Sequence, residues 1–276
     1  MNLELFIARR IAHNGSGNRP GVMVRIAVVA VALSVTVMIL ALAVIMGFKR
    51  EITDRVTGFS AQVEVADLRS AGSIESVPVL RSEQLERTIR SAGEVVRLTP
   101  YAVKGGVVKM PDAILGVMLK GVDGGYEWSF FRDHLLEGEL PRVGDSIRTK
   151  EILISRSVAQ EMGLAPGDKV EMLFVESEKS PRRDRFKVSG IYATGMDEFD
   201  RSVAMTDLRN VQRLADWSSD EVSGYEVTLA DFSQAEDFSR RLNDMLLDSD
   251  REAFWDLTAR SCLLYTSDAA DDGESV

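Results

Sequence analysis

The hydropathy pattern is dominated by an uncharged run from Ile26 to Phe48, IAVVAVALSVTVMILALAVIMGF, whose only polar members are Ser34 and Thr36. As a helix rising about 1.5 Å per residue it reaches about 34 Å, enough for a hydrocarbon core of about 30 Å. A helix apolar on every face has no side to leave in water, so the pattern predicts a membrane span. Upstream, Leu3, Phe6, Ile7 and Ile11 recur at helical spacing beside Arg9 and Arg10. They predict a short helix on the membrane surface, closed by the Gly/Asn/Pro break from Asn14 to Gly21. Beyond the span both periods appear, which makes the fold class α+β. Gln62 to Val65, Arg185 to Ser189 and Tyr225 to Leu229 alternate apolar and polar as half-buried strands do.

Helix starts and stops accompany the helical stretches. Ser82 precedes Leu85 and Ile89, with a stop at Gly93; Ser155 precedes Val158 and Met162, with a stop at Gly163. Thr206 is the expected cap for Leu208, Val211 and Leu214, and Asp231 opens the stripe Phe232, Ala235, Phe238, Leu242, Met245 and Leu246, a core-facing pattern. Pro166-Gly167-Asp168 is a turn leading into the apolar strand from Val170 to Val175. The polar segment Glu176 to Asp184 between two apolar strands reads as an exposed hairpin tip.

Charge sets orientation and excludes partners. The chain has a formal charge of -10, and a surface of that sign is a poor match for nucleic acid. Arg9, Arg10, Arg19 and Arg25 precede the span with only Glu4 opposing, so the N-terminus is expected on the cytoplasmic side. Residues 51–276 then lie across the membrane, with 27 basic against 42 acidic residues and a net charge of -15. Ala41-Leu42-Ala43 has the form of a signal-peptidase site, but the apolar run is longer than a signal core and continues past it, which favours a retained anchor.

The pattern offers little chemistry. His13, His134 and Cys262 are too few and too scattered for a Cys/His zinc site, and no cofactor is expected. Neither Gly-x-Ser-x-Gly nor a phosphate-binding Gly-x-x-x-x-Gly-Lys-Ser/Thr occurs, so ATP hydrolysis would fall to a partner. His134 beside Asp133 reads as a surface pair, and Asp197, Glu198 and Asp200 read as solvated loop charges.

Met1 to Arg10, Gly47 to Glu51, Leu119 to Asp123, Glu151 to Ser155, Gly163 to Val170 and Phe186 to Asp200 carry a colinear resemblance over residues 1 to about 258. In these pieces the chain resembles the lipoprotein-releasing permeases of bacterial ABC transporters, the LolC/LolE type, within the MacB/FtsX-like permease group. The resemblance implies a bacterial inner-membrane protein with a cytoplasmic leader at 1–25, a transmembrane helix at 26–48 and a MacB-like periplasmic domain at 49–260. That domain would have a porter-like lobe, about 51–115 and 205–258, and an inserted β-rich lobe, about 116–204. It implies a non-catalytic subunit that relays conformational change. The partners would be a cytoplasmic ABC ATPase, a second permease subunit or a second copy, lipoprotein cargo, a periplasmic carrier and membrane lipid.

On the hairpin position matched by the resemblance, Pro181, Arg182 and Arg183 become candidate carrier contacts, although the loop is short for that role. Val44 and Met46 become candidate lipid-facing positions. Family permeases continue into further spans, so the chain is expected to be C-terminally truncated. Ser261 to Asp271 reads as an in-frame transposase-type sequencing adapter, which makes 261–276 an expected non-native tail. The competing readings are a single-span periplasmic binding or sensor protein and a MacB/FtsX-like permease with different cargo.

Overall fold

The computed structural model describes residues 6, 21–59, 61–70, 76–109, 114–144, 147–176, 179–249, 254 and 256–261. Apart from Phe6, the expected leader helix lies outside the described residues, as does the expected tail after Ser261. The chain forms two compact units, residues 1–56 and 57–276.

Helix α1 runs from Gly21 to Phe59. Within it Val24–Phe48 is long and apolar enough to cross a membrane, and none of that stretch is buried against protein. The two hydroxyls of the run are satisfied inside the helix: Ser34 donates to the Ala30 carbonyl at 3.0 Å and Thr36 to that of Ala32 at 2.7 Å. That arrangement is what a hydrocarbon surround demands of a polar side chain. The helix does not stop at Phe48, because Lys49-Arg50-Glu51 changes polarity without breaking the backbone.

The second unit contains β1 (Val63–Asp67), β2 (Val79–Leu80), α2 (Glu83–Ser91), β3 (Val95–Lys109), β4 (Ile114–Val122), α3 (Ser129–Asp133), β5 (Leu135–Gly138) and β6 (Glu151–Ser155). It continues through α4 (Arg156–Met162), β7 (Lys169–Glu176), β8 (Lys179–Tyr192), α5 (Asp197–Ser202), β9 (Val203–Asp207) and α6 (Leu208–Ala215), then β10 (Glu221–Val222), β11 (Gly224–Leu229), α7 (Ala235–Ser249) and β12 (Leu257–Ser261).

The main sheet follows the order β12-β1-β11-β3-β4-β9-β6-β8-β5, and β7 pairs with both β3 and β8. The path β3-β4-β9-β6-β8-β7 therefore returns to β3 and closes a ring. Closure removes open edges from these strands. Val170, Met172 and Phe174 on β7 and Phe186 and Val188 on β8 alternate into the buried core with Val108, Val117, Leu119, Ile152 and Ile154. Gly106 is what admits Phe174, because a Cβ there would lie 2.6 Å from its Cε1.

Strand β3 is long enough to serve two bodies. Its first half pairs with β11, and from Tyr101 onward it pairs with β4. On the β11 side, the antiparallel strands β12, β1, β11 and β3 are covered by α2 and α7, with Leu85, Ile89, Phe238, Leu242 and Leu246 packed on Val63, Val65, Tyr225 and Val227. The lobe boundaries expected at 115/116 and 204/205 fall inside β4 and β9, which run on without interruption.

Local expectations meet the structure in detail. Ser82 Oγ accepts from the Leu85 amide and Ser155 Oγ from the Val158 amide, each at 3.1 Å, and Gly163 ends α4 at φ 63°. Thr206 does not cap α6. Pairing between β4 and β9 continues to Val122↔Asp207, so the strand outlasts Thr206 and the Asp207 carboxylate accepts the Arg209 amide at 2.9 Å. Thr206 instead donates to the Glu151 carbonyl at 2.7 Å. The supposed acidic loop forms α5. Asp200 is not solvated but buried, accepting from the Thr194 hydroxyl at 2.8 Å and the Gly195 amide at 3.2 Å.

Candidate functional site

The β7–β8 hairpin is longer than the sequence pattern suggested. Pairing runs through Leu173↔Arg183 and Phe174↔Arg182 to Glu176↔Lys179, which places Pro181, Arg182 and Arg183 within a strand and not at a tip. The tip, residues 177–178, lies outside the described residues. The strand continues because Asp184, Phe186 and Val188 share one buried phase while Arg183, Arg185 and Lys187 share the exposed one.

The three candidate contacts part ways. Pro181 is exposed. Arg183 is 75% exposed and approaches Glu171 at only 3.8 Å. Arg182 turns the other way, its guanidinium donating to the Asp216 carboxylate at 2.6 Å and to the Arg213 carbonyl at 3.2 Å. Next to it the buried Asp184 carboxylate accepts from both Lys150 and Arg213 and from the Arg185 amide at 2.8 Å. Arg185 donates to Glu171 at 2.9 Å. Lys150, Glu171, Arg183, Asp184 and Arg185 line an open depression of about 460 Å³. Of the three, Arg183 and Pro181 can meet a partner without first breaking a short ion pair.

A second cluster sits where β3 and β4 leave the α2/α7-covered sheet. Lys120 is buried and donates to Glu226 at 2.5 Å, with the Tyr101 and Tyr126 rings 5.9 and 5.8 Å from its amine. Tyr101 donates in turn to Glu64. Burial alone would lower the Lys120 pKa, but Glu226 more than reverses it, so the amine is held above its ordinary range. Burial pushes the Tyr126 phenol up to about 12. The pair spans β3, joining β4 to β11.

His134 is not paired with Asp133. Its Nδ1 lies 2.8 Å from the Phe130 carbonyl and its ring lies 4.4 Å from that of Phe130. Among the described residues no three His, Cys, Asp or Glu side chains gather as a metal site would require. Val44 and Met46 are 61% and 64% exposed on α1. The sequence reading missed both ion-pair clusters. Only the phase of Asp184 with Phe186 and Val188 hinted at one; Lys120 and Glu226 are 106 positions apart and leave no local trace.

Comparison with known proteins gives the chain its relatives. The model of the MacB-like periplasmic core domain matches residues 26–245. The lipoprotein-releasing system transmembrane protein LolC of Xylella fastidiosa (strain 9a5c) is 28% identical over 241 residues, covering 82% of this chain and 53% of that protein. The lipoprotein-releasing system transmembrane protein LolE of Haemophilus influenzae is 22% identical, covering 84% and 56%. This chain thus spans about half the length of the curated relatives it matches. Among solved structures, the periplasmic region of MacB from Actinobacillus actinomycetemcomitans aligns with a TM-score of 0.49 at 13% identity, covering 75% of this chain and 92% of that one. With the family's model matched across most of its length, the chain belongs to the family of the MacB-like periplasmic core domain.

Proposed function

We propose that this chain is the membrane anchor and periplasmic domain of a permease subunit in a lipoprotein-releasing ABC transporter. Its α1 helix would cross the inner membrane with the N-terminus in the cytoplasm, and the ring-bearing unit would stand in the periplasm. There it would engage cargo or carrier while a separate cytoplasmic ATPase supplies the energy and a second permease subunit, or a second copy, completes the transporter. The single observation that supports this reading best is the family match over residues 26–245, which takes in the apolar helix and the ring together. The similarity to LolC favours lipoprotein over other cargo.

In this reading the porter-like lobe is the α2/α7-covered sheet and the inserted lobe is the ring, with the exact division left to β3. The carrier would meet the outer face of β8 at Pro181 and Arg183, with Arg182 set behind them as a support. Val44 and Met46 would face lipid.

A purified periplasmic lipoprotein carrier titrated onto the full chain in detergent tests this. Arg183→Glu puts a carboxylate beside Glu171 on the proposed contact and is expected to weaken binding by about tenfold, about 1.4 kcal/mol. If the unaltered chain does not bind the carrier, the carrier role falls. A permease of the same family with another cargo, or a single-span binding protein, then becomes the better reading.

A further inference from the structure

Two reciprocal ion pairs join β8 to α6. Arg182 and Asp184 are two apart on the strand and share a face; Arg213 and Asp216 are three apart at the end of the helix and share a face. Arg182 of the strand reaches Asp216 of the helix, and Arg213 of the helix reaches Asp184 of the strand. The polarity alternates, so each cation is held beside an anion of the opposite element, and Arg182 also donates to the backbone at Arg213.

The backbone at Asp216 sets where its carboxylate can reach. Asp216 is the C-cap of α6 in the left-handed region, φ 59°, and is the one non-glycine residue with positive φ among the described residues. That position ordinarily favours glycine, which reaches it without a Cβ penalty. Aspartate is among the few other residues that adopt this conformation, and here it also brings a side chain to Arg182.

We infer that Arg213 and Asp216 are positioning residues that clamp the β7–β8 hairpin to α6 through Asp184 and Arg182, fixing the direction in which Arg183 is presented. The use of that direction rests on the carrier-contact reading above; the clamp itself does not. Asp184 is buried and shared between Lys150 and Arg213, which makes it the stronger anchor, while the Arg182–Asp216 pair is half exposed and responds to salt. The clamp joins the hairpin to the element that follows β9. A displacement of α6 would therefore carry the hairpin with it.

Hydrogen exchange on the full-length chain in detergent micelles, with no carrier present, tests the clamp. Asp216→Gly relieves the backbone and removes the carboxylate, so it should fold; Arg182→Met keeps an apolar stem and removes the charge. In both variants the amides of 170–176 and 179–187 are expected to exchange about fivefold faster, while β1 and β11 keep the parent's protection. In the parent, raising salt from about 0.05 M to about 1 M should speed hairpin exchange, and in the variants it should do so less, because only the pairs of Asp184 and of Arg185 remain to be screened. Equal hairpin exchange in parent and variants overturns the inference. So does equal loss of protection from β1 and β11, which would make the pairs general supports and not a hairpin clamp. If the clamp behaves as expected but the carrier ignores Arg183→Glu, the clamp stands and the carrier reading falls.

Discussion

Gly121 lies where β4 passes beneath α6, and a Cβ there would come within 2.8 Å of Val211 Cγ2 and 2.9 Å of the Leu208 Cα. The second neighbour is backbone and cannot rotate away, so Gly121→Ala should destabilise the domain by about 1–3 kcal/mol, read as a lower urea midpoint with unchanged slope. Asp207, which caps α6, offers a pH prediction. Burial raises its pKa, but the Arg209 side chain and the amides of Arg209 and Gly144 outweigh burial, and the net direction is down. A carboxylate with a depressed folded value stabilises the fold above its unfolded value, about 3.9, and that contribution is lost as pH falls through the folded value. Urea melts at neutral pH should show Asp207→Asn costing about 1 kcal/mol, with the gap to the parent closing in strong acid. At this scale the caps Ser82 and Ser155 were legible because capping is local. The cap of α6 was placed one residue early, at Thr206, because strand pairing, a distant property, decides where β9 ends.

The ring and the α2/α7-covered sheet are joined by continuous strands and by a buried charge. Lys120 on β4 reaches across β3 to Glu226 on β11. Lys120→Met should leave the half-buried Glu226 unpaired and cost about 3 kcal/mol, whereas Lys120→Met with Glu226→Leu should recover most of it. A thermodynamic cycle on these variants measures the coupling; additive losses would show that the pair does not link the strands. Strand and helix types were legible from period alone where Phe186 and Val188 alternate with polar neighbours and where the α7 stripe repeats every three to four residues. Ring closure was not, because it depends on Val107 and Val108 meeting Leu173 and Met172, some 65 positions away. The hairpin was likewise read too short: Arg182-Arg183 look like loop residues until their partners Asp216 and Glu171 are known.

The whole molecule combines an exposed apolar helix and an acidic α+β unit with its own core. The span was readable because a bilayer needs an uninterrupted run, a one-dimensional property. What the far-side unit contacts is not written that way: contact residues are exposed, and their direction depends on pairings made elsewhere in the fold. The central claim, an anchor with its ring-bearing unit outside the cytoplasm, is tested most directly by topology. In a Cys262→Ser background, one cysteine is placed at Arg183 and, in a separate protein, at His13, and cells stripped of their outer envelope are treated with a membrane-impermeant maleimide. The account predicts that Arg183→Cys is labelled in intact cells and His13→Cys only after lysis. Labelling of His13→Cys in intact cells, with Arg183→Cys protected until lysis, would contradict it.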